Sequence, residues 1–138
     1  MNNSLCKSDR SYFRAAQAVS YLSDFDRVQI GCVVVDKHRI ISSGFNSEKG
    51  HPMQARTDKE TFNCDCPGKQ HAEFSALLPL IRQNVDLSRA TIYTYRAKRD
   101  GSLGPSRPCA RCMQLIKSVG VRKIKYTTND GFAGEILV

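Results

Sequence analysis

Two short segments of this chain combine residue types that bind a metal and move protons: His71-Ala72-Glu73 and Pro108-Cys109-Ala110-Arg111-Cys112. Alone, each is ambiguous. C-x-x-C serves as half of a closed structural zinc site or as a redox pair, and H-x-E is frequent by chance. Together they offer one imidazole and two thiolates, which leaves a fourth tetrahedral position for water, as in catalytic rather than closed zinc sites. Two thiolates also neutralise the formal charge of Zn²⁺, so a neutral His71 completes the set without a large excess of charge.

The spacing constrains where the metal sits. Cys109 and Cys112 lie three apart and share a helix face, whereas His71 and Glu73 lie two apart and diverge. Each segment opens a predicted helix after a loop, so the metal belongs over the helix tips, where the positive ends favour thiolates.

The elements that must position these tips follow from the hydrophobic pattern. Tyr12, Ala15, Ala16, Val19 and Leu22 fall at helical spacing behind Ser8 or Asp9 as the cap. Val28 to Val35 and Arg39 to Phe45 read as an antiparallel hairpin across the turn at Asp36-Lys37-His38, which makes His38 a turn residue. A long polar stretch from Asn46 to Gln70 follows, and structureless stretches of this length inside compact domains are usually functional. The helix opening near His71 meets Pro79, which predicts a kink or an early end. Ala90 to Ala97 is a strand, and Cys109 to Val119 a helix with Pro108 at its start and Gly120 closing its end. Val121 to Thr127 is a further strand. The remaining residues are too few for a crossover to a parallel neighbour, so Asn129-Asp130-Gly131 predicts a hairpin with Glu135 to Val138 returning antiparallel. The order α-β-β-α-β-α-β-β is an α/β arrangement, helices packed on a mixed sheet of about five strands.

A chain of 138 residues supports one domain, residues 1–138, rather than two independent cores. No apolar run approaches the roughly 20 residues of a bilayer span and no signal-peptide core follows Met1, which predicts a cytoplasmic protein. In that setting six cysteines point to metal, catalysis or reduced core thiols rather than a disulfide framework. Cys6 and Cys32 read as bystanders, the latter inside an apolar run. The net charge of +8 suits an anionic partner without distinguishing a nucleotide from a nucleic acid.

The paired motifs, H-x-E followed by P-C-x-x-C, resemble the zinc-dependent cytidine and deoxycytidylate deaminase superfamily, and the order of elements is similar to that fold up to about Thr127. The resemblance implies a three-layer α-β-α sandwich and one catalytic Zn²⁺ held by His71, Cys109 and Cys112, which lowers the pKa of its water to about 7. It implies that Glu73 takes that water's proton, protonates the ring nitrogen beside the attacked carbon and helps ammonia leave. The Cys109 N–H and the Ala72 carbonyl are implied substrate contacts. Gly44-Phe45-Asn46 is similar to the family's Gly-aromatic-Asn segment, whose asparagine contacts the sugar, and Asn46-Ser47-Glu48 to an Asn-x-Glu that holds ribose hydroxyls. Against these stand a turn asparagine at Asn46 and a solvated carboxylate at Glu48.

Other relatives carry Thr-Leu-Glu or a similar segment before Pro-Cys, where this chain has Gly104-Pro105-Ser106-Arg107. Arg107, with Lys98, Arg99 and Arg111 nearby, can hold a phosphate or form a solvated basic rim. Cys64-Asp65-Cys66 with His51 is a candidate second metal site, because some deoxycytidylate deaminases hold an extra zinc in the corresponding loop; reduced loop thiols are the alternative. The expected reaction is hydrolytic conversion of cytosine to uracil in a nucleoside or nucleotide, by a homo-oligomer. The short antiparallel ending favours it over a base deaminase of single-stranded DNA or RNA, in which Tyr93, Tyr95 or Phe132 would stack bases unless they pack in the core. A non-catalytic zinc-stabilised binding module is the third reading, and it needs a fourth protein ligand.

Overall fold

The structure is a computed structural model, and it describes residues 6–24, 28–47, 71–98 and 100–137. In chain order the elements are α1 (Lys7–Ser20), β1 (Gln29–Asp36), β2 (Arg39–Phe45), α2 (Ala72–Arg82), β3 (Thr91–Ala97), β4 (Leu103–Gly104), α3 (Ala110–Ser118), β5 (Lys123–Thr127) and β6 (Phe132–Ile136). The sheet runs β2-β1-β3-β5-β6, with β4 added on β3. Among the described residues only β3 and β5 pair in parallel, with α3 in the connection between them; β6 turns back antiparallel on β5. The sheet thus has six strands where the pattern gave about five. β4 is two residues long, too short to show a period of two.

Alternation along β1 and β3 sorts side chains into two layers. Cys32, Val34 and Ile92 join Ala76, Leu77, Leu80, Met113 and Ile116 beneath α2 and α3. Val33, Val35, Tyr93 and Tyr95 join Phe13 and Ala16 beneath α1. Leu77, Ile92 and Ile116 are fully buried, each worth about 1.5–3 kcal/mol by transfer out of water. The three-layer α-β-α expectation holds.

Three local details differ from the sequence reading. The cap of α1 is Cys6, not Ser8 or Asp9: its backbone is extended and its sulfur accepts the Asp9 N–H at 3.4 Å. Asp9 turns inward instead, and Leu22 lies beyond the helix end and is exposed. The third concerns α2, which passes through Pro79 and ends at Arg82, one turn later. The proline is exposed, so its ring meets no core, and the donor it fails to give the Ser75 carbonyl is lost close to the helix end.

Two features set the helices that carry the motifs. A Cβ on Gly44 would lie 2.5 Å from the Ala76 nitrogen and 2.7 Å from the Ala72 carbonyl oxygen, so glycine lets β2 lie against the first turns of α2. At the far end of α3, Gly120 takes φ 96°, the Gly120 N–H donates to Lys117 and the Val121 N–H to Ile116, a Schellman ending that fixes where the helix stops. The β1–β2 turn places Lys37 and His38 at φ 50° and 65°, as a two-residue hairpin loop requires. No helix among the described residues is long and apolar enough to cross a membrane.

Candidate metal centre

His71 is the N-cap of α2 and Cys109 the N-cap of α3. Both have extended backbones, and their carbonyls accept the first helical bonds, from Ser75 at 3.0 Å and Met113 at 2.7 Å. A serine or aspartate at such a position turns its side chain back onto the helix. Neither His71 nor Cys109 does so, which leaves the imidazole and the thiol to face each other across the two helix tips. Cys112 joins them from the first turn of α3.

The three ligand atoms lie within 4.8 Å of one another. His71 Nδ1 is 3.8 Å from Cys109 Sγ and 3.4 Å from Cys112 Sγ. A tetrahedral zinc with ordinary bond lengths separates its nitrogen and sulfur ligands by about 3.6 Å, so the set has the size of a zinc site. Among the described residues no fourth histidine, cysteine or carboxylate joins this cluster, unlike a closed structural site.

The electrostatics point the same way. A hydrogen bond from Cys112 is the largest influence on Cys109, and with His71 it outweighs burial and brings the Cys109 thiol down to about 3. The same hydrogen bond, then burial, pushes Cys112 far up. Two bare thiolates this close repel, and a divalent cation between them is what lets both be anions. Burial tends to lower His71, yet its hydrogen bond to Cys109 and the charge of Glu73 raise it overall.

Glu73 is only 5% exposed and lies in the first turn of α2. Burial pushes its carboxyl up, with the charge of His71 opposing. Ala72 beside it is 1% exposed and Cys112 2%. Arg111 is buried in the first turn of α3, and its charge favours the Cys112 thiolate.

The other expected residues are distributed as follows. Asn46 is buried, and its carboxamide completes β1: Oδ1 accepts the Ile30 N–H at 2.9 Å and Nδ2 donates to the Val28 carbonyl at 2.7 Å. Its second amide proton and second oxygen lone pair are what it has for a ligand. Arg107 is exposed and makes a two-point ion pair with Glu135 at 2.5 and 3.1 Å. Lys98 is exposed. Glu48, Arg99 and the candidate second metal residues His51, Cys64 and Cys66 lie outside the described residues. Tyr93 and Tyr95 are core residues, and the Phe132 ring packs at 4.5 Å on Phe13, so these aromatics serve the core. The sequence reading missed Thr94, Ser106 and Thr127, three buried hydroxyl residues that bond one another around Ser106. Their types carry no periodic or motif signal.

The sequence profile described as the cytidine and deoxycytidylate deaminase zinc-binding region matches residues 6–128. A deoxycytidylate deaminase of Mycobacterium phage D29 is 28% identical over 130 residues, covering 86% of this chain and 92% of the phage protein. Among solved structures, the dCMP deaminase of cyanophage S-TIM5 in apo form has a TM-score of 0.65 at 23% identity, covering 91% of this chain and 86% of the other. The same enzyme in complex with dCMP and dUMP gives 0.64 at 21%, covering 91% and 85%. At these identities the two structures speak for the fold.

Proposed function

Because the chain belongs to the cytidine and deoxycytidylate deaminase zinc-binding family, we propose that it hydrolyses the exocyclic amine of cytosine in a nucleotide, with deoxycytidylate as the substrate. The observation that carries this reading is the His71, Cys109 and Cys112 cluster at two helix tips with the buried carboxyl of Glu73 beside it. The substrate is suggested by the D29 relative and by the ligands of the cyanophage enzyme.

When bound by His71, Cys109 and Cys112, zinc supplies Lewis acidity that makes water a nucleophile near neutral pH. Glu73 accepts the proton that the attacking water gives up. It passes that proton to the ring nitrogen beside the attacked carbon and assists the second transfer, to the amino group that leaves. A C–O bond forms, the C–N bond breaks, and one water is exchanged for one ammonia. Burial keeps the Glu73 carboxyl from sharing its proton with bulk water. The Cys109 N–H and the Ala72 carbonyl are assigned to the two edges of the base, and Asn46 to the sugar. The basic surplus suits a monophosphate.

The test is ammonia release by the zinc-loaded protein given deoxycytidylate, deoxycytidine, cytidine, cytidylate and a cytosine-containing single-stranded oligonucleotide, with Glu73→Ala as control. Turnover of deoxycytidylate, lost in the control, is expected. Turnover of the oligonucleotide alone would move the protein to the polynucleotide deaminases, and equal turnover by Glu73→Ala would remove the catalytic assignment.

A further inference from the structure

Strand β3 has an unusual second edge. Along one side β1 pairs with it from Thr91 to Ala97. The other side is shared: β5 pairs with Thr91 to Tyr93, and β4 with Arg96 and Ala97. Between the two partners lies a seam at Thr94 and Tyr95, where the ladder has no strand to bond to among the described residues, and buried backbone groups need partners from elsewhere.

Two hydroxyls supply them, those of Ser106 and Thr127, and the hydroxyl of Thr94 joins the same cluster. The Ser106 hydroxyl donates to the Thr94 carbonyl at 3.0 Å, and the Arg96 N–H donates to Thr127 Oγ1 at 3.1 Å. Thr127 donates onward to the Gly104 carbonyl at 2.7 Å, and Thr94 to the Ser106 carbonyl at 2.9 Å. The Thr127 N–H donates to Ser106 Oγ at 2.8 Å, and the Ser106 N–H to the Thr127 carbonyl at 2.9 Å. Each hydroxyl thus donates once and also accepts, except that Thr94 serves as a donor alone. The three residues are 1%, 4% and 0% exposed. Thr94 is on the same strand face as Ile92, the face covered by α2 and α3.

The chain pinned here runs straight into the ligand set. Only Arg107 and Pro108 separate Ser106 from Cys109, and the proline has a fixed φ. His71 arrives on a separate segment, at the start of α2. The 3.4 and 3.8 Å nitrogen–sulfur separations therefore depend on where the segment before Cys109 is anchored to the sheet. We infer that Thr94, Ser106 and Thr127 are positioning residues for Cys109 and Cys112, setting the sulfur atoms against His71 at metal-binding distance. This rests on the metal-site reading above.

The test is zinc affinity by competition with a chromophoric chelator, together with the visible spectrum of the Co²⁺-substituted protein, for wild type, Ser106→Ala, Thr127→Val and Thr127→Ser. Thermal unfolding of each metal-free protein shows that it is folded under the assay conditions. Ser106→Ala and Thr127→Val are expected to weaken zinc about tenfold, as loss of groups supporting a ligand does, and to change the intensity of the Co²⁺ bands. Thr127→Ser keeps the hydroxyl and is expected to stay within about twofold of wild type. If Ser106→Ala does not fold, the Thr127 pair decides. Variants that unfold at lower temperature but bind zinc like wild type overturn the inference and leave the metal site standing. A wild type that binds no zinc overturns the metal-site reading itself, and the inference falls with it.

Discussion

Two buried carboxyls on opposite faces of one sheet behave in opposite ways. Asp9, on α1, is 8% exposed, and Glu73, on α2, is 5% exposed. Burial raises both, but at Asp9 it is outweighed: Lys125 reaches both carboxylate oxygens at 2.8 and 2.9 Å, and the Tyr93 hydroxyl donates at 2.5 Å, so the carboxyl falls below its ordinary value. At Glu73 burial dominates and the carboxyl rises. The first carboxylate has its charge matched by its neighbours and ties α1 to β3 and β5. The second is raised by burial beside the cluster of His71, Cys109 and Cys112. A buried acid with its hydrogen bonds filled is structural, and one left under-compensated beside a ligand cluster is a candidate for chemistry.

The largest effect should come from Glu73→Gln, which is expected to cut turnover by about 10²–10⁴-fold with no loss of stability; urea unfolding and steady-state rates on the same preparation check both halves. Cys112→Ser is expected to bind little zinc and to unfold at a temperature that no longer responds to chelator, whereas wild type should lose stability when zinc is stripped. Retained zinc in that variant would remove Cys112 from the ligand set.

Asp9→Asn should do the reverse of Glu73→Gln. It is expected to cost about 2 kcal/mol of stability, less than a fully buried pair because the Lys125 side chain is 33% exposed, while turnover per folded molecule is kept. The same pair has a pH signature. A carboxyl depressed on folding contributes stability above its unfolded value of about 3.9, and that contribution is lost as pH falls through the lower folded value. Denaturant midpoints taken from about pH 6 to about pH 3 should therefore fall less steeply in Asp9→Asn than in wild type. Equal slopes would show that Asp9 is not the residue coupling folding to pH.

The smallest effect concerns Arg107 and Glu135, whose exposed ion pair, with the Tyr126 hydroxyl on the same carboxylate at 2.7 Å, holds Glu135 down at about 2. Either Arg107→Ala or Glu135→Ala is expected to change stability by about 1 kcal/mol or less. If Arg107 also holds the substrate phosphate, Arg107→Ala alone raises KM for deoxycytidylate; equal KM in both variants returns the arginine to the rim.

The candidate ligand cluster was readable because zinc chemistry demands particular side chains at short spacings, and His71, Cys109 and Cys112 satisfy that demand locally. The antiparallel return of β6 was readable from the turn residues Asn129-Asp130-Gly131. Other features depend on which segments become neighbours. β4 forms because Leu103 and Gly104 meet the end of β3, and Thr94, Ser106 and Thr127 matter because β3 changes partner beside them. Cys6 as a cap was missed for a different reason: a thiol is a weak acceptor, and Ser8 and Asp9 offered better ones two and three residues later. Asn46 shows a limit of motif reading. Its place just after β2 was legible, but the two bonds that tie its carboxamide to Ile30 of β1 and to Val28 before it come from the fold.

The most direct test of the account is to measure zinc content and deoxycytidylate turnover side by side in wild type and Glu73→Gln. The account predicts equal zinc in the two proteins and conversion to deoxyuridylate with ammonia release only in wild type. Full zinc occupancy with equal turnover in both would contradict it.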